Sequence, residues 1–422
     1  MNGEDAIAGA IQRYTDLIYA VPGYPVTGLA ERVNAEGVIN EKVAVEYALG
    51  DSLSGRRSAV IMKNVGLNAC ADPIVNATTQ GLSAGVVIIV GDDLEAKGSQ
   101  NTQDSRYYGE VAQIPVIEPD RETCWRGVEG AFEASERFSR IALVRLTPPL
   151  LESEVTETFS EKVVKSGTLA DPSLTMRGRA MQADLTTHLL FSWSHLSPLN
   201  RLRGGTIGVG AAHGTSHLVT VYPPPPLPRG APINEYGRPF VREHFTVEPP
   251  VERRVPETFS TRGHFRTFCP HCPFKPMLSI MKERAMRPVC DMGCAILAIN
   301  PPFSIGIGGY GLGSSVAVAA HSTKVALCGD YALLHSGING LIDAYEKRVP
   351  LLCIVMKNER MGMVGEARVY DPVRYISWTN PIVCAADDRE MLKKVLEVSE
   401  SPRTVVVEGR CPDGERHEVV EC

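Results

Sequence analysis

Apolar and polar positions follow two alternating patterns along the first 151 residues of the chain. Helical patterns, with apolar positions three and four residues apart, are separated by short continuous apolar runs. Two of these runs are followed by polar or Gly/Pro-rich turns, as expected where strands end. This alternation predicts an α/β domain with a mostly parallel sheet covered by helices. The predicted strands are DLIYAV, SAVIMK, AGVVIIVGDD, IPVIEP and RIALVRL.

The periodicity weakens between about Glu152 and Thr267, where proline-dense stretches such as YPPPPLPRGAP have the composition of linkers. The α/β pattern then returns, and FSIGIGG, KVALCGD, PLLCIVMKN and RTVVVEG are predicted strands. A chain of 422 residues suits two or three domains. We therefore predict two mostly parallel-sheet α/β domains, 1–155 and 263–422, which flank a reduced and irregular middle domain at 156–262.

Composition narrows the classes of partner. The formal charge is −6, from 43 Lys and Arg against 49 Asp and Glu, and no basic block stands out, which argues against nucleic-acid or anionic-membrane partners. No apolar run reaches membrane-spanning length and the start lacks a signal-peptide pattern, so we expect a soluble, cytoplasmic protein. Its eleven cysteines are then expected to be buried thiols, metal ligands or redox groups rather than disulfides.

Polar residues follow two predicted strands of the C-terminal domain. Asp330 ends KVALCGD and Asn358 ends PLLCIVMKN, and open α/β sheets bind ligands at the carboxyl ends of their strands. These side-chain oxygens, with a backbone carbonyl near Arg360, could hold Mg²⁺ beside a diphosphate. A helix predicted to begin near Ser336 and Gly337 would direct its N–H groups toward the phosphates. Alternatively, Asp330 caps a helix and Asn358 forms a turn, and the spacing leaves both interpretations open.

A glycine-rich motif, GIGGYG at residues 306–311, matches the G-x-G-x-x-G dinucleotide fingerprint, and Asp330 follows at the end of the next predicted strand. An NAD-binding domain is therefore one hypothesis. Glycines at a strand-to-helix turn also permit close backbone approach to a phosphate or to a facing segment. A dinucleotide site would leave Asn358 without a role, so close packing is the preferred interpretation.

Cysteine spacing indicates a metal site in the C-terminal domain. FCPHCPF contains a C-x-x-C pair, and soft thiolates grouped in this way suit either zinc or an iron–sulfur cluster. A structural zinc would need a further ligand such as Cys290 or His271. A [4Fe–4S] cluster would use four thiolates, namely Cys269, Cys272, Cys294 and Cys411. The remaining cysteines in apolar runs are expected to be small core residues: Cys70, Cys124, Cys328, Cys353 and Cys384.

Two segments of the N-terminal domain are candidates for binding. Glu41 stands at the start of a helical pattern, where an acid commonly caps the helix. A carboxylic acid in an apolar site can instead remain protonated and donate to a ring nitrogen. The polar loop GSQNTQDSRYY, residues 98–108, follows a predicted strand, and such loops often line a site.

The sequence resembles the thiamine-diphosphate-dependent 2-oxoacid:ferredoxin oxidoreductases, and most closely the alpha-subunit family of indolepyruvate ferredoxin oxidoreductase. VPGYPVTGLAERV, NEKVAVEYALGDSLSGRRSAVIMKNVGLNACADP and GSQNTQDSRYYGEVAQIPVIEP are similar to the pyrimidine-binding domain of that family. CPHCPF, DMGCAILAINPPF and GDYALLHSGINGLIDAYEKRVPLLCIVMKN are similar to its diphosphate-binding domain. The shortened region between them has remnants of the middle domain, so the resemblance covers about the whole chain.

The resemblance implies a cofactor and its contacts. Thiamine diphosphate would be bound through Mg²⁺ held by Asp330, Asn358 and Arg360, while Glu41 would hydrogen-bond the aminopyrimidine ring and His335 would be a second catalytic group. The four cysteines would hold the [4Fe–4S] cluster that carries electrons away. The other expected cofactor contacts are Gly23, Tyr24, Pro25, Gly66, Asn68, Gln100, Asn101, Gly329, Ser336 and Gly337.

The implied reaction is oxidative decarboxylation of an aryl-pyruvate-like 2-oxoacid, with coenzyme A as acyl acceptor and ferredoxin as electron acceptor. The family's C-terminal ferredoxin-like segment is not in this sequence, so we expect electrons to leave through a separate protein. A gamma-like partner subunit, or a homodimer, is also implied, because the family binds its cofactor between two domain types. The sequence departs from the family at Tyr331 and Lys357, where the family has a serine and an acid, and at CPHCPFK, where it has CPGCPHR.

Three other functions remain possible from the sequence. One is a non-oxidative thiamine-diphosphate-dependent decarboxylase or carboligase whose cysteines hold zinc or a structural cluster. Another is a non-catalytic paralogue that binds the cofactor or a partner subunit, although the presence of Glu41, Asp330 and Asn358 together argues against it. An NAD-dependent dehydrogenase is the third, and only the glycine motif supports it.

Overall fold

The structure, a computed structural model, describes residues 1–155, 167–200, 254–364 and 367–422, with the backbone of two short strands at 207–209 and 233–235. The chain forms two compact units. The N-terminal unit comprises Met1–Asp171 and Met176–Pro256, and the C-terminal unit comprises Pro172–Thr175 and Glu257–Cys422. Most of the predicted middle domain at 156–262 lies outside the described residues and stays a prediction.

The N-terminal unit is built around a parallel six-stranded sheet with the order β2-β1-β3-β4-β6-β5. The five predicted strands are all present, and their apolar runs form a buried core with the covering helices. The strands are β1 Leu17–Val21, β2 Glu36–Gly37, β3 Ser58–Lys63, β4 Val86–Gly91, β5 Val116–Ile117 and β6 Ala142–Leu146, and β7 Ile207–Val209 pairs with β8 Ile233–Glu235. The helices are α1 Gly3–Tyr14, α2 Thr27–Arg32, α3 Glu41–Leu53, α4 Leu67–Gln80, α5 Tyr108–Ala112, α6 Cys124–Phe138, α7 Pro148–Glu152 and α8 Met176–Leu196.

The C-terminal unit has a parallel five-stranded sheet with the order β10-β11-β12-β14-β13. Its strands are β9 His264–Arg266, β10 Val289–Cys290, β11 Val325–Gly329, β12 Leu352–Lys357, β13 Ile382–Ala385, β14 Arg403–Glu408 and β15 Val419–Glu421, and β15 pairs antiparallel with β9. Its helices are α9 Phe259–Arg262, α10 Lys275–Glu283, α11 Ser315–Ala320, α12 Asp330–Ala332, α13 Ile338–Glu346, α14 Val373–Ile376 and α15 Arg389–Val395. The predicted α/β class with mostly parallel sheets is confirmed.

Two predictions for this unit were wrong. FSIGIGG is not a strand, because its glycines pack directly on β10: a Cβ at Gly306 would lie 2.6 Å from Cys290 Sγ. The short pair Val289–Cys290 takes the edge position instead. The helix expected near Ser336 begins at Asp330, and a π-helical turn, Leu333–Gly337, joins α12 to α13. Among the described residues, no helix combines the length and the hydropathy that a membrane span requires.

Candidate functional site

The predicted site residues of the C-terminal unit follow the ends of four neighbouring strands. Strands β10, β11, β12 and β14 lie side by side and parallel, so their carboxyl ends meet at one edge of the sheet. The register pairs Gly329 with Met356 and Lys357 with Glu408. The residues that come after these ends are Cys294, Asp330, Asn358 and Cys411. Sheet topology alone therefore collects carboxylate, amide and thiol groups in one region.

Asp330 is a buried carboxylate, only 2% exposed, at the start of α12. It accepts backbone N–H groups from Tyr331 at 2.8 Å, Asn358 at 3.0 Å and Glu359 at 2.7 Å. Burial raises the pKa of Asp330, and these hydrogen bonds oppose the rise only in part. No ion pair to this carboxylate is found within the described part of the chain. A buried carboxylate without a cationic partner is a suitable ligand for a divalent ion.

Asn358 and Arg360 lie on the turn that follows β12. Glu359 has the left-handed backbone angle φ 59°, which turns the chain between them. Asn358 Oδ1 accepts the N–H of Arg360 at 3.4 Å, and its Nδ2 donates to Cys411 Sγ at 3.1 Å. The guanidinium of Arg360 donates to the carbonyl of Pro412 at 2.9 Å. The turn therefore connects the β12 end to the segment that carries Cys411.

A cavity of about 290 Å³ opens at these strand ends, and we call it the methionine cavity. The predicted residues Gly329, Asp330, Asn358 and Arg360 line it. Most of the remaining wall is apolar, which sequence patterns did not indicate. Its other lining residues are Met292, Gly293, Cys294, Leu312, Tyr331, Ala332, Met356, Met361, Gly362, Met363 and Val364. The cavity combines oxygen atoms of a type that can bind a hard ion with walls that suit an apolar group.

Three predicted residues lie on the helix beyond Asp330. Ser336 Oγ donates to the carbonyl of Leu312 at 2.5 Å, and Gly337 packs so closely that a Cβ there would lie 3.1 Å from the carbonyl oxygen of Gly313. Both residues therefore fix the loop that carries Leu312 into the cavity wall. His335 is exposed, and its ring centroid lies 5.9 Å from that of Tyr331. This places His335 beside Tyr331, a lining residue of the methionine cavity.

Two of the departures from the family pattern, Tyr331 and Lys357, have different surroundings. Tyr331 lines the methionine cavity and is 38% exposed. Lys357 Nζ instead contacts Glu408 at 2.8 Å and Asp371 at 3.0 Å. Burial alone would lower the pKa of Lys357, but hydrogen bonds to these two carboxylates outweigh it and raise the pKa. Lys357 thus has a local structural role, whereas Tyr331 can contact a ligand.

The four predicted cluster cysteines line a second pocket, which we call the cysteine pocket. Its other lining residues include Glu415 and His417. The four cysteines are free thiols, as are the other cysteines of the chain. Burial, with the charge of neighbouring thiols, raises the pKa of Cys272 and Cys294 to about 12. Neighbouring thiolates repel one another, and a bound cation would remove this repulsion. Four thiols in one pocket are therefore a donor set that fits a soft metal or an iron–sulfur cluster.

The cysteine pocket is not arranged as a finished coordination shell. In the ranges that the structure describes, no three His, Cys, Asp or Glu side chains have metal-binding geometry. The alternative zinc ligand Cys290 is fully buried beside Gly306, and His271 Nδ1 lies 2.5 Å from Glu415 Oε1. The other single cysteines of apolar runs are buried, as predicted. The four cysteines of the pocket therefore remain the candidate cluster ligands.

Two charged or titratable residues of this pocket, Glu415 and His417, were not predicted from the sequence. Glu415 accepts the backbone N–H of His271 at 3.2 Å as well as contacting its ring, so it anchors the loop of Cys269 and Cys272. His417 Nε2 lies 3.3 Å from Cys294 Sγ. Both residues lie in the six positions after Cys411, and proximity to a predicted ligand was the available signal.

In the N-terminal unit, predicted residues lie on loops at the carboxyl ends of β1, β3 and β4. Gly23 packs under the side chain of Lys63, and Lys63 Nζ donates to the carbonyl of Gly98 at 2.8 Å. The ring of Tyr24 would lie 3.0 Å from a Cβ at Gly98, and Pro25 packs against Gly91. These three loops therefore hold one another at one edge of the sheet.

Glu41 occupies the first position of α3, after the N-cap residue Asn40, whose side chain accepts the N–H of Val43 at 2.9 Å. A Cβ at Gly66 would lie 2.6 Å from Glu41 Cγ and 2.8 Å from Glu41 Oε1. Gly66 therefore leaves the space that the Glu41 side chain occupies. Because Asn40 already caps the helix, Glu41 is not required for that purpose.

The polar loop after β4 is anchored by buried ion pairs. Arg145 contacts Asp92 at 2.6 Å and Glu118 at 2.7 Å, and Arg106 contacts Asp104 at 2.7 Å.

The predicted residue Asn68 contacts the same loop, since it donates to Gln103 at 2.9 Å and accepts from Tyr108 at 2.8 Å. Gln100 and Asn101 are exposed at the loop tip. The loop is thus fixed at its base and presents polar groups at its tip.

Known proteins resemble the chain in sequence. Residues 291–380 match the family model described as thiamine pyrophosphate enzyme, C-terminal TPP binding domain. The chain is 25% identical to the indolepyruvate oxidoreductase subunit IorA of Methanothermobacter marburgensis over 469 aligned positions, which cover 86% of this chain and 75% of that protein. It is 34% identical to the IorA subunit of Archaeoglobus fulgidus over 184 positions, which cover 40% and 28% of the two chains.

Solved structures support the fold. A thiamine diphosphate-dependent 4-hydroxybenzoylformate decarboxylase of Rhodococcus jostii superposes with a TM-score of 0.59 at 14% identity, covering 98% of this chain and 100% of that one. Benzoylformate decarboxylase of Polynucleobacter necessarius gives 0.58 at 13% identity, covering 97% and 99%. The chain thus carries the TPP-binding domain of thiamine pyrophosphate enzymes at residues 291–380 and is similar, over most of its length, to the IorA subunit of indolepyruvate oxidoreductase, a 2-oxoacid oxidoreductase.

Proposed function

We propose that the chain oxidatively decarboxylates an aryl-pyruvate-like 2-oxoacid and transfers the acyl group to coenzyme A. The bond between the carbonyl carbon and the carboxylate breaks and CO₂ leaves, while the acyl carbon forms a thioester with the coenzyme A sulfur. One proton and two electrons are released. The electrons pass singly through a [4Fe–4S] cluster to two equivalents of ferredoxin or to a ferredoxin-like partner subunit.

One observation carries this proposal: the methionine cavity and the cysteine pocket share part of their walls. Cys294, Asn358, Arg360 and Gly362 line both. A cofactor bound in the cavity would therefore be separated from a cluster in the cysteine pocket by single side chains. Such proximity favours electron transfer over simple release of an aldehyde.

Each group has a proposed role. Thiamine pyrophosphate supplies the carbon nucleophile and the electron sink when it is bound. Asp330, Asn358 and a carbonyl near Arg360 would hold its Mg²⁺, and Glu41 would hydrogen-bond its aminopyrimidine ring and orient the proton-accepting nitrogen. His335 remains a candidate for proton transfer, because it lies beside Tyr331 of the cavity wall. The residues of the polar loops, Gln100 and Asn101 among them, are proposed to contact the cofactor or substrate.

The aryl-pyruvate-like substrate is supported by the walls of the methionine cavity and by the name of the IorA relatives. Met292, Met356, Met361 and Met363 are flexible, polarisable side chains that pack well against aromatic rings. An indole or phenyl side chain would be accommodated better there than a charged one. A gamma-like subunit or a second copy of the chain is the proposed partner.

The test of the cluster is anaerobic purification followed by iron, sulfide and zinc assays and a visible spectrum. About four iron and four sulfide per chain, with a brown absorbance, are expected. Cys272→Ser should lose most of the iron, whereas Cys422→Ser, at an exposed position, should retain it. One zinc per chain without iron would refute the electron-transfer proposal and favour a non-oxidative decarboxylase.

The test of the reaction is anaerobic turnover of indolepyruvate with coenzyme A, ferredoxin and Mg²⁺–thiamine pyrophosphate. Release of CO₂ should depend on both acceptors and should be accompanied by ferredoxin reduction. The Glu41→Gln variant should lose this activity while still binding the cofactor. Production of an aldehyde without ferredoxin would identify the non-oxidative alternative.

A further inference from the structure

Asn358 is the shared residue whose two amide atoms contact different groups. Its Nδ2 donates to Cys411 Sγ at 3.1 Å, and its Oδ1 accepts a longer contact from Arg360 N, at 3.4 Å. Its backbone is fixed, because Asp330 accepts the N–H of Asn358 at 3.0 Å. With the backbone held and the amide within reach of Cys411, rotation about χ2 sets which of the two amide atoms faces the sulfur.

That orientation decides which ligands the amide can bind. A metal-bound thiolate has no proton to donate, so it can face the N–H₂ group but not the oxygen. A cation, conversely, can be bound only by the oxygen. When Nδ2 faces Cys411, Oδ1 must point to the other side of the planar group. Rotation of the amide by 180° would therefore make both contacts unfavourable at once.

We propose that Asn358 couples the two sites, with its amide oxygen on the cofactor's cation and its N–H on the Cys411 thiolate. The inference rests on the proposed function, because it needs both the cluster and the cation. A cluster in the cysteine pocket holds the amide with its oxygen available to the cation. A cation in the methionine cavity holds it with its N–H toward the sulfur. Loading of either site therefore favours loading of the other, and the effect is reciprocal.

His417 provides a matched control for this coupling. Its Nε2 lies 3.3 Å from Cys294 Sγ, so it also contacts a sulfur of the proposed cluster. It lines the cysteine pocket, whereas the described lining of the methionine cavity does not include it. Removal of His417 changes the surroundings of the cluster without removing a cation ligand. It should alter the reduction potential of the cluster but leave the coupling intact.

The experiment compares cation binding in cluster-loaded and cluster-free protein. The full chain is purified anaerobically, one half is stripped of iron with a chelator, and Mn²⁺ is titrated into each in the presence of thiamine pyrophosphate. Bound Mn²⁺ is measured by electron paramagnetic resonance, which does not depend on turnover. The loaded protein should bind Mn²⁺ at least about fivefold more tightly, at the lower end of ordinary coupling between two sites.

Two variants decide whether Asn358 is responsible. Asn358→Asp has an oxygen on both sides and needs no orientation, so its Mn²⁺ affinity should be the same with and without the cluster. The added carboxylate should also speed loss of iron, because an oxygen then faces the thiolate. His417→Phe should retain the fivefold difference. Far-UV circular dichroism of each variant checks that it is folded.

Equal Mn²⁺ affinity in loaded and stripped wild-type protein would overturn the coupling, and that comparison needs no variant. A difference that persists in Asn358→Asp would also overturn it, because the effect would then come from general loss of structure. If the chain binds no iron under any condition, the proposed function fails and the coupling fails with it. Iron content measured before the titration therefore distinguishes the two failures.

Discussion

Replacing Gly66 by alanine tests the role of Glu41 without altering Glu41 itself. Gly66 has helical backbone angles, φ −65° and ψ −28°, so alanine adds no backbone strain there. The new Cβ would lie 2.6 Å from Glu41 Cγ and 2.8 Å from Glu41 Oε1. The substitution therefore acts mainly by pushing the Glu41 side chain aside.

The size of the effect follows from these distances. Carbon atoms pack best at about 3.5–4.0 Å, so Glu41 Cγ must move by roughly 1 Å. A displacement of about 1 Å at a catalytic group can lower the rate about 10²-fold, which corresponds to about 2.7 kcal/mol of activation free energy. The free energy of unfolding should change little, because the gain of about 1 kcal/mol in helix propensity from glycine to alanine offsets the cost of moving the Glu41 side chain.

The assay measures kcat/KM for 2-oxoacid decarboxylation, the affinity for Mg²⁺–thiamine pyrophosphate and the melting temperature. Gly37→Ala is the matched control, because a Cβ at Gly37 has no atom within 4 Å and should leave all three unchanged. In a Glu41→Gln background, Gly66→Ala should cause little further loss, since both changes act on one group. Wild-type kcat/KM in Gly66→Ala, or full additivity with Glu41→Gln, would refute the reasoning.

Three further predictions concern single side chains. Asp330→Asn should weaken Mg²⁺-dependent cofactor binding at least tenfold, because the negative charge that attracts the cation is lost. Hydrogen bonds to charged groups contribute about 1.5–3 kcal/mol each, so this loss is measurable. Unchanged affinity by calorimetry would exclude Asp330 as a ligand. Arg145→Met should lower the free energy of unfolding by about 3–5 kcal/mol, since it removes the cationic partner of buried Asp92. A loss below about 1 kcal/mol in denaturant titration would contradict this. Tyr331→Ser should change the ratio of kcat/KM for aromatic and small 2-oxoacids. Lys357→Gln should leave that ratio unchanged and should lower the free energy of unfolding. Equal effects of the two variants on the ratio would contradict the different surroundings of the two residues.

Much of the fold could be predicted because buried parallel strands have a strong apolar signal. The five runs of the N-terminal unit are strands, and so are KVALCGD, PLLCIVMKN and RTVVVEG. FSIGIGG misled because its alternation comes from glycines that allow close packing rather than from side chains on a sheet. The start of the helix after β11 was misplaced because Asp330 occupies the first turn itself, and the π-helical turn has no signal in the sequence pattern.

The site at the strand ends was harder to predict than the fold, because no local sequence pattern indicates the order of strands in a sheet. The sequence places Asp330 and Asn358 at strand ends, but only the order β10-β11-β12-β14 brings Cys411 to Asn358. His417 and Glu415 were missed, since a single histidine or glutamate in a polar segment has no distinctive spacing. Lys357 looked like part of the site, but it pairs with two carboxylates that the local sequence does not indicate. The register of β12 and β14 aligns Glu408 with it, and a later loop supplies Asp371.

The short sheet formed by β9 and β15 gives the proposed cluster a second consequence. Val420 pairs with Phe265, so the last residues of the chain are tied to the segment just before Cys269. Metal bonds from Cys269 and Cys411 would close a loop of more than a hundred residues at almost the same place. By the chain-entropy relation for cross-links, such a closure removes about 5 kcal/mol of freedom from the unfolded chain. Loss of the cluster in air would then remove a cross-link as well as an electron carrier. The damage should therefore be measurable as a fall in the melting temperature.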